Sequence, residues 1–187
     1  LQLADILATE LKLTVIPDNG NTNTGGATFS YSLADKAFDF LAAGETLTLT
    51  YNVRVDNNYA PSNEFTTVPI TITITGTNDA PVITTSAQKI AFSGGTSVPG
   101  GTLASSDPTK GTLTFTDVDL TDTHTVAAAL TSAVLSNGST VPPGPLSVFE
   151  KALTASIETD SAGTGNGIID WQLAPLPVYL ADFIPKG

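Results

Sequence analysis

Two stretches of the chain alternate apolar and hydroxyl or amide side chains at every second residue, and this leaves few folds open. One is Thr46-Leu47-Thr48-Leu49-Thr50-Tyr51-Asn52-Val53-Arg54-Val55 and the other is Val68-Pro69-Ile70-Thr71-Ile72-Thr73-Ile74-Thr75. Successive side chains of a strand point to opposite faces, so Ile70, Ile72 and Ile74 make an apolar face while Thr71, Thr73 and Thr75 face water. Pro69 stands near the start of its run, where a missing ladder donor is tolerated. Shorter β-rich runs are expected to form strands at residues 11–16, 27–33, 82–85, 89–92, 112–116, 153–157 and 168–173. Residues 1–11 and 125–135 are the two stretches compatible with short helices. The second follows a β-branched start, and we read it as a strand over residues 124–130.

Turn clusters separate these runs: Pro17-Asp18-Asn19-Gly20, Asp56-Asn57-Asn58, Ser93-Gly94-Gly95, Pro99-Gly100-Gly101 and Ser136-Asn137-Gly138. Short strands rich in Thr and Val at such spacing predict an all-β chain, an antiparallel β-sandwich.

A repeat underlies the pattern. A shift of 140 residues lays Glu10 on Glu150, Leu13-Thr14 on Leu153-Thr154 and Thr24-Gly25 on Thr164-Gly165. It also lays Tyr31 on Trp171 and Leu33-Ala34 on Leu173-Ala174. A slip of three residues at Pro175-Leu176-Pro177 then aligns Asp39-Phe40-Leu41 with Asp182-Phe183-Ile184. Agreement in order and spacing over so many positions marks two copies of one unit. The first copy continues past Gly44 into the two alternating strands; the second stops at Gly187. We therefore expect residues 1–78 to be the late part of one repeat, 79–86 a junction, and 87–187 the early part of the next. A copy without its last two strands exposes sheet edges and an open core. Either residues 46–75 close onto residues 87–187, or a neighbouring chain supplies the strands.

Composition removes several functions. The chain carries 18 Asp and Glu against 7 Lys and Arg, a formal charge of −11. Arg54 is its only Arg and the Lys are scattered, so no basic stripe exists to meet nucleic acid or an anionic membrane surface. No apolar run nears the ~18 residues of a membrane span, and we expect no membrane insertion. Without Cys there is no disulfide, thiolate nucleophile or zinc–thiolate site. The absence of Met and of a signal-peptide pattern leads us to expect a mature product or an excised piece.

The junction Thr73-Ile74-Thr75-Gly76-Thr77-Asn78-Asp79-Ala80-Pro81-Val82-Ile83 and the segment Gly111-Thr112-Leu113-Thr114-Phe115-Thr116-Asp117-Val118-Asp119-Leu120-Thr121-Asp122-Thr123-His124-Thr125-Val126 resemble the VCBS repeat. Residues 38–51 resemble the same family's late segment. The family occurs in very large bacterial surface and secreted adhesins, and is similar to cadherin-like domains. The resemblance implies an Ig-like or cadherin-like sandwich, an extracellular or cell-surface location, and calcium (Ca2+) at the junction. Its implied metal ligands are Glu45, Asn78, Asp79, Asp117 and Asp119. Tyr51 fits the spacing that follows the Glu, and Asp56 is a looser match. The linker departs from the fully charged cadherin version.

Calcium takes six to eight oxygen ligands, and residues two apart in an extended segment share a face, so Asp117 and Asp119 can address one ion. The same Asp and Asn residues also suit turn capping, and the sequence leaves both readings open.

No enzyme is expected. His124 lacks a Ser and an Asp defined by spacing as its partners. Tyr31 and Trp171 read as core rather than as a sugar platform. Asp160, beside Gly163-Thr164-Gly165-Asn166-Gly167, reads as a loop residue and not part of a phosphate cradle. Nothing in the sequence makes Glu150 and Glu158 face one another. The expected function is a structural repeat of an extracellular surface protein, with neighbouring repeats or identical chains as partners. One alternative is a filament or sheath subunit joined by strand complementation. Another is a module binding a host or matrix glycan or a receptor, with Tyr59 as the best exposed anchor.

Overall fold

The computed structural model describes residues 12–20, 22, 24–56, 62, 64–93 and 101–182. The possible helix over residues 1–11, Tyr59, and the repeat positions from 183 onward lie outside them. So do most of the Asp56-Asn57-Asn58, Ser93-Gly94-Gly95 and Pro99-Gly100-Gly101 turns. The chain divides into two units, Leu1–Asp79 and Ala80–Gly187. Its sheets are antiparallel, and the described residues add one α-helix, so the all-β expectation holds at that level.

In the first unit β1 (Lys12–Ile16) pairs with β2 (Gly26–Ser30), and β3 (Thr46–Asp56) pairs with β4 (Phe65–Thr75). The β3–β4 register places Leu47 opposite Ile74, Leu49 opposite Ile72, Tyr51 opposite Ile70 and Val53 opposite Val68. One aliphatic face thus runs the length of the hairpin, as the alternation required. The base of the hairpin is clipped to a turn: the Gly76 amide donates to the Glu45 carbonyl (2.8 Å), and the Gly44 amide donates to the Gly76 carbonyl (3.2 Å). The Ala42 amide donates to Glu45 Oε2 (3.0 Å). This unit buries Ala37, Leu41 and Ala42, in and after a 3-10 turn at Asp35–Ala37.

The second unit holds a four-stranded sheet in the order β5-β8-β10-β9: β5 is Val82–Ile83, β8 Lys110–Thr116, β9 Leu153–Thr159 and β10 Asn166–Leu173. A two-residue pair, β6 (Phe92–Ser93) with β7 (Ala104–Ser105), stands beside it in sequence. One sheet face carries Leu113, Ile169, Trp171 and Leu173. Gly111 leaves room for the Trp171 indole, whose carbons approach within 3.1 Å of where a Cβ would stand. The core proper is Ala152, Leu176 and Leu180, packed with Phe92, Leu103, Val148, Phe149 and Leu173.

Two expectations about the second unit need correction. Residues 124–130 join no ladder among the described residues. Their burial nevertheless alternates at period two from Thr121 to Ala129, the signature of an extended segment laid against a surface. The other correction is an α-helix, α1 (Pro143–Ala152), where no helix was expected. Its Pro-Gly-Pro opening reads as a loop, yet prolines in a first turn give up only amides that have no intrahelical acceptor. Lys151 lies in the last turn, where the helix dipole favours a cation.

The repeat is visible as structure. Offset by 140 residues, β1 falls on β9 and β2 on β10; with the three-residue slip, the 3-10 turn at Asp35–Ala37 falls on the one at Val178–Ala181.

Two glycines are required by close approach. A Cβ on Gly76 would collide with the Leu41 and Ala42 carbonyl oxygens, and one on Gly167 would enter the Phe115 ring. Overpacking of this kind costs about 1–3 kcal/mol. Gly76→Ala and Gly167→Ala are each expected to lower the melting temperature of the full chain by several degrees. Gly144→Ala, on an open helix position, is expected to leave it unchanged or raise it slightly. Differential scanning calorimetry of the three variants checks this.

Candidate functional site

The most concentrated polar chemistry of the second unit lies just past the end of β8. Thr116 ends the strand, and Asp117-Val118-Asp119-Leu120 turns toward the loop that joins β9 to β10. Backbone bonds lace the two turns together. The Asp117 amide donates to the Gly165 carbonyl (3.2 Å) and the Gly163 amide to the Leu120 carbonyl (2.7 Å), while within the loop the Gly165 amide donates to the Ser161 carbonyl (2.7 Å). Asp117 Oδ1 accepts the Asp119 amide at 3.0 Å, closing a small ring of the kind Asp favours.

His124 sits at the centre. Its Nε2 is 3.0 Å from Asp117 Oδ2 and its Nδ1 is 2.8 Å from Asp160 Oδ1, while its backbone amide donates to Asp160 Oδ2 at 3.0 Å. Ionised carboxylates only accept hydrogen bonds, so an imidazole held between two of them carries a proton on both nitrogens. The Asp160 bond, followed by the Asp117 bond, raises the His124 pKa above 6.5. The His124 ring bond in turn lowers Asp160 to about 2. The Phe115 ring meets the imidazole edge-on, with centroids 5.0 Å apart. Gly167 leaves space for that ring. The His124 side chain is 11% exposed and that of Asp160 30%, while Asp119 and Ser161 are sealed.

Ser161 Oγ lies 3.3 Å from His124 Nδ1, so a Ser, a His and two Asp share one site. The roles do not match those of a hydrolytic triad. A base must have a free lone pair for the hydroxyl proton, whereas both nitrogens here donate to carboxylates, and Ser161 is sealed from substrate. What this arrangement can do is join three chain segments through charge-assisted hydrogen bonds.

The expected metal ligands divide between the units. Glu45 is half-buried and accepts the Ala42 amide. Asn78 and Asp79 are exposed, and the Asn78 side-chain amide donates to the Asp79 carbonyl at 2.6 Å. Asp117 and Asp119 are buried on one turn, and both oxygens of Asp117 face protein donors. Among the described residues, no group of three or more His, Asp or Glu side chains is gathered as a metal-holding set. Tyr31 packs against Tyr51, with centroids 6.3 Å apart, and Trp171 is half-buried over Gly111. Glu150 is exposed on α1 and Glu158 exposed on β9.

The sequence reading missed the pairing of Asp160 and Asp117 through His124. The signal available to it was weak: 36 residues separate His124 from Asp160, and only the β9–β10 hairpin brings them together.

No protein-family model matches the chain, and no curated protein or solved structure is significantly similar to it.

The clamp has a defined pH dependence. Because folding raises the His124 pKa, the stability from its proton is fully present below about 6.5 and is lost as pH rises through the folded value. Because folding lowers Asp160 from 3.8 to about 2, its contribution is present above 3.8 and is lost as pH falls toward 2. The unfolding free energy of the second unit is therefore expected to be flat between these limits and to fall on both sides. His124→Gln should remove the alkaline fall. Asp117→Ala, which strips the imidazolium of a buried partner, should destabilise by about 3–5 kcal/mol. Urea titrations between pH 3 and 9 measure all three.

Proposed function

We propose that the chain is a structural repeat module of an extracellular bacterial surface protein or adhesin of VCBS type, completed as an Ig-like or cadherin-like sandwich. The carrying observation is the structural repeat itself: the same strand pair followed by the same 3-10 turn occurs in both units. Such repetition belongs to arrays in which each unit extends or presents its neighbours. The strands, rich in Thr and aliphatic residues, give a hydrogen-bonded frame. The charge of −11 keeps copies apart and soluble until divalent ions screen it. Pro81, following Asn78-Asp79-Ala80, restricts the backbone between units.

Calcium fits this reading through its donor chemistry. Glu45, Asn78, Asp79, Asp117 and Asp119 offer carboxylate and amide oxygens, the hard donors that calcium takes, with backbone carbonyls to complete the shell. Bound calcium would supply positive charge that orders the junction. On the protein side, Asp117 must then turn an oxygen from His124 toward the ion, so the imidazolium and the cation draw on one carboxylate.

Thermal unfolding in about 2 mM calcium against excess chelator tests the metal reading. At about 2 mM calcium, extracellular sites of 10⁻⁴–10⁻³ M affinity give about 0.6–1.8 kcal/mol, a rise of up to a few degrees. The rise should vanish in Asp117→Asn with Asp119→Asn and grow in His124→Gln, where the competing cation is gone. An identical melting temperature with and without calcium would leave these residues as turn and clamp residues only.

A further inference from the structure

Three Asn-Gly pairs occur in the chain, Asn19-Gly20, Asn137-Gly138 and Asn166-Gly167. Such a pair is chemically labile. The glycine nitrogen can reach the Asn side-chain carbon and close a ring, and glycine has no side chain to obstruct the approach. The fold treats the three pairs differently.

Asn166-Gly167 is locked in β10, where Asn166 pairs with Thr116 and Gly167 with Phe115. The Thr164 hydroxyl accepts the Asn166 backbone amide at 3.2 Å, and the Thr164 carbonyl accepts the Asn166 side-chain amide at 3.1 Å. The Phe115 ring lies where a Cβ of Gly167 would stand, so closing a ring across this peptide would displace it. Asn19-Gly20 is exposed, but the Gly20 amide donates to Asp18 Oδ1 at 3.1 Å. The nitrogen attacks as an anion, and a carboxylate against it disfavours loss of its proton.

Asn137-Gly138 has neither restraint. It stands at the tip of a turn closed by the isolated bridge of Val134 with Thr140. Gly138 has a φ of +80°, and its Cβ position meets nothing within 4 Å. Its amide donates to the neutral Leu135 carbonyl at 2.9 Å. Residues 136–140 are all exposed, so freeing that amide takes only a local opening. The Ser139 amide donates to Asn137 Oδ1 at 2.9 Å. This bond polarises the side-chain carbonyl and stands where negative charge gathers when the carbonyl is attacked.

We propose that Asn137 is a self-modification site, converting in water to aspartate and isoaspartate through a cyclic imide. The Gly138 nitrogen loses its proton to solvent and bonds to Asn137 Cγ, placing negative charge on Oδ1 beside the Ser139 amide. The carbonyl re-forms, the Cγ–Nδ2 bond breaks, and the nitrogen leaves as ammonia with a proton from water. A water molecule then opens the imide. Addition at the side-chain carbonyl gives aspartate. Addition at the backbone carbonyl gives isoaspartate, with the chain running through the former side chain. Water is consumed, ammonia is released and nothing is oxidised. The product adds a negative charge to a chain of −11, and isoaspartate lengthens the turn by a methylene, against the Val134–Thr140 bridge. The change is irreversible, so this turn marks the age of the molecule. It stands apart from the module and calcium readings, since Asn137, Gly138 and Ser139 are not among the proposed ligands.

The full chain is incubated near neutral pH in buffer and, in parallel, in concentrated urea, then digested and mapped by mass. Each conversion adds about 1 Da to its peptide. Isoaspartate is read separately by methyl transfer with an isoaspartyl methyltransferase. In buffer Asn137 is expected to convert about tenfold or more faster than Asn166, and the gap to shrink in urea, where Phe115 and Thr164 no longer protect Asn166. The rate at Asn137 should rise with pH, and Asn137→Gln, which must close a larger ring, should lose the signal at this position. An unchanged Asn137 in buffer, or Asn19 or Asn166 converting as fast there, overturns the proposal. A lead of Asn137 over Asn166 that persists undiminished in urea also overturns it, because the local sequence rather than the fold would then select the site.

Discussion

A charged imidazole between two carboxylates holds the second unit together where its sheet has least support. Among the described residues the segment from Thr121 to Ala129 joins no ladder, so its position depends on the first residues after the turn. His124 provides that attachment twice over, by a ring bonded to Asp117 and Asp160 and by a backbone amide bonded to Asp160. Phe115 fills the space beneath, and Gly167 makes room for Phe115. Each of these choices is intelligible only with the others in place. Two acidic residues near a turn repel one another unless a cation stands between them, and here the chain supplies that cation itself.

This arrangement changes how the Asp-Val-Asp motif is understood. As a sequence, Asp117 and Asp119 are two hard oxygen donors on one face. In the fold, Asp117 spends its oxygens on the Asp119 amide and His124, and Asp119 is enclosed. A buried carboxylate stabilises only when its charge is paired. The clamp meets that requirement without a metal; calcium would have to offer Asp117 more than His124 already does. A calcium ion at this turn would thus compete with the imidazole for one carboxylate.

The legible parts of the fold were those set by local patterning. Alternation in residues 46–55 and 68–75 gave β3 and β4 because every second residue is Thr, Ile, Leu or Val, and the register then placed aliphatic residues opposite one another. The repeat was legible because Leu13-Thr14 and Leu153-Thr154 keep the same place within the corresponding strands β1 and β9. Helix α1 was not, since Pro142, Pro143 and Pro145 signal a loop unless they fall in a first turn. Residues 124–130 were half legible: their burial alternates at period two as the pattern suggested, but they form no strand, because a pattern cannot say whether a partner is present. The clamp was the least legible, because His124 and Asp160 meet only through the return of a hairpin.

Incomplete pairing is the thread that joins the two units. A two-stranded ribbon with an aliphatic face has too few neighbours to bury that face by itself. A sheet with an apolar side beneath a lone extended segment has the opposite shortage. Ordinary monomers blunt such edges with charge, proline or a covering loop. Here the proline lies on β4 and a charged pair, Arg54 with Asp56, stands at the end of β3, while residues 125–130 carry only small, hydroxyl-bearing or aliphatic side chains.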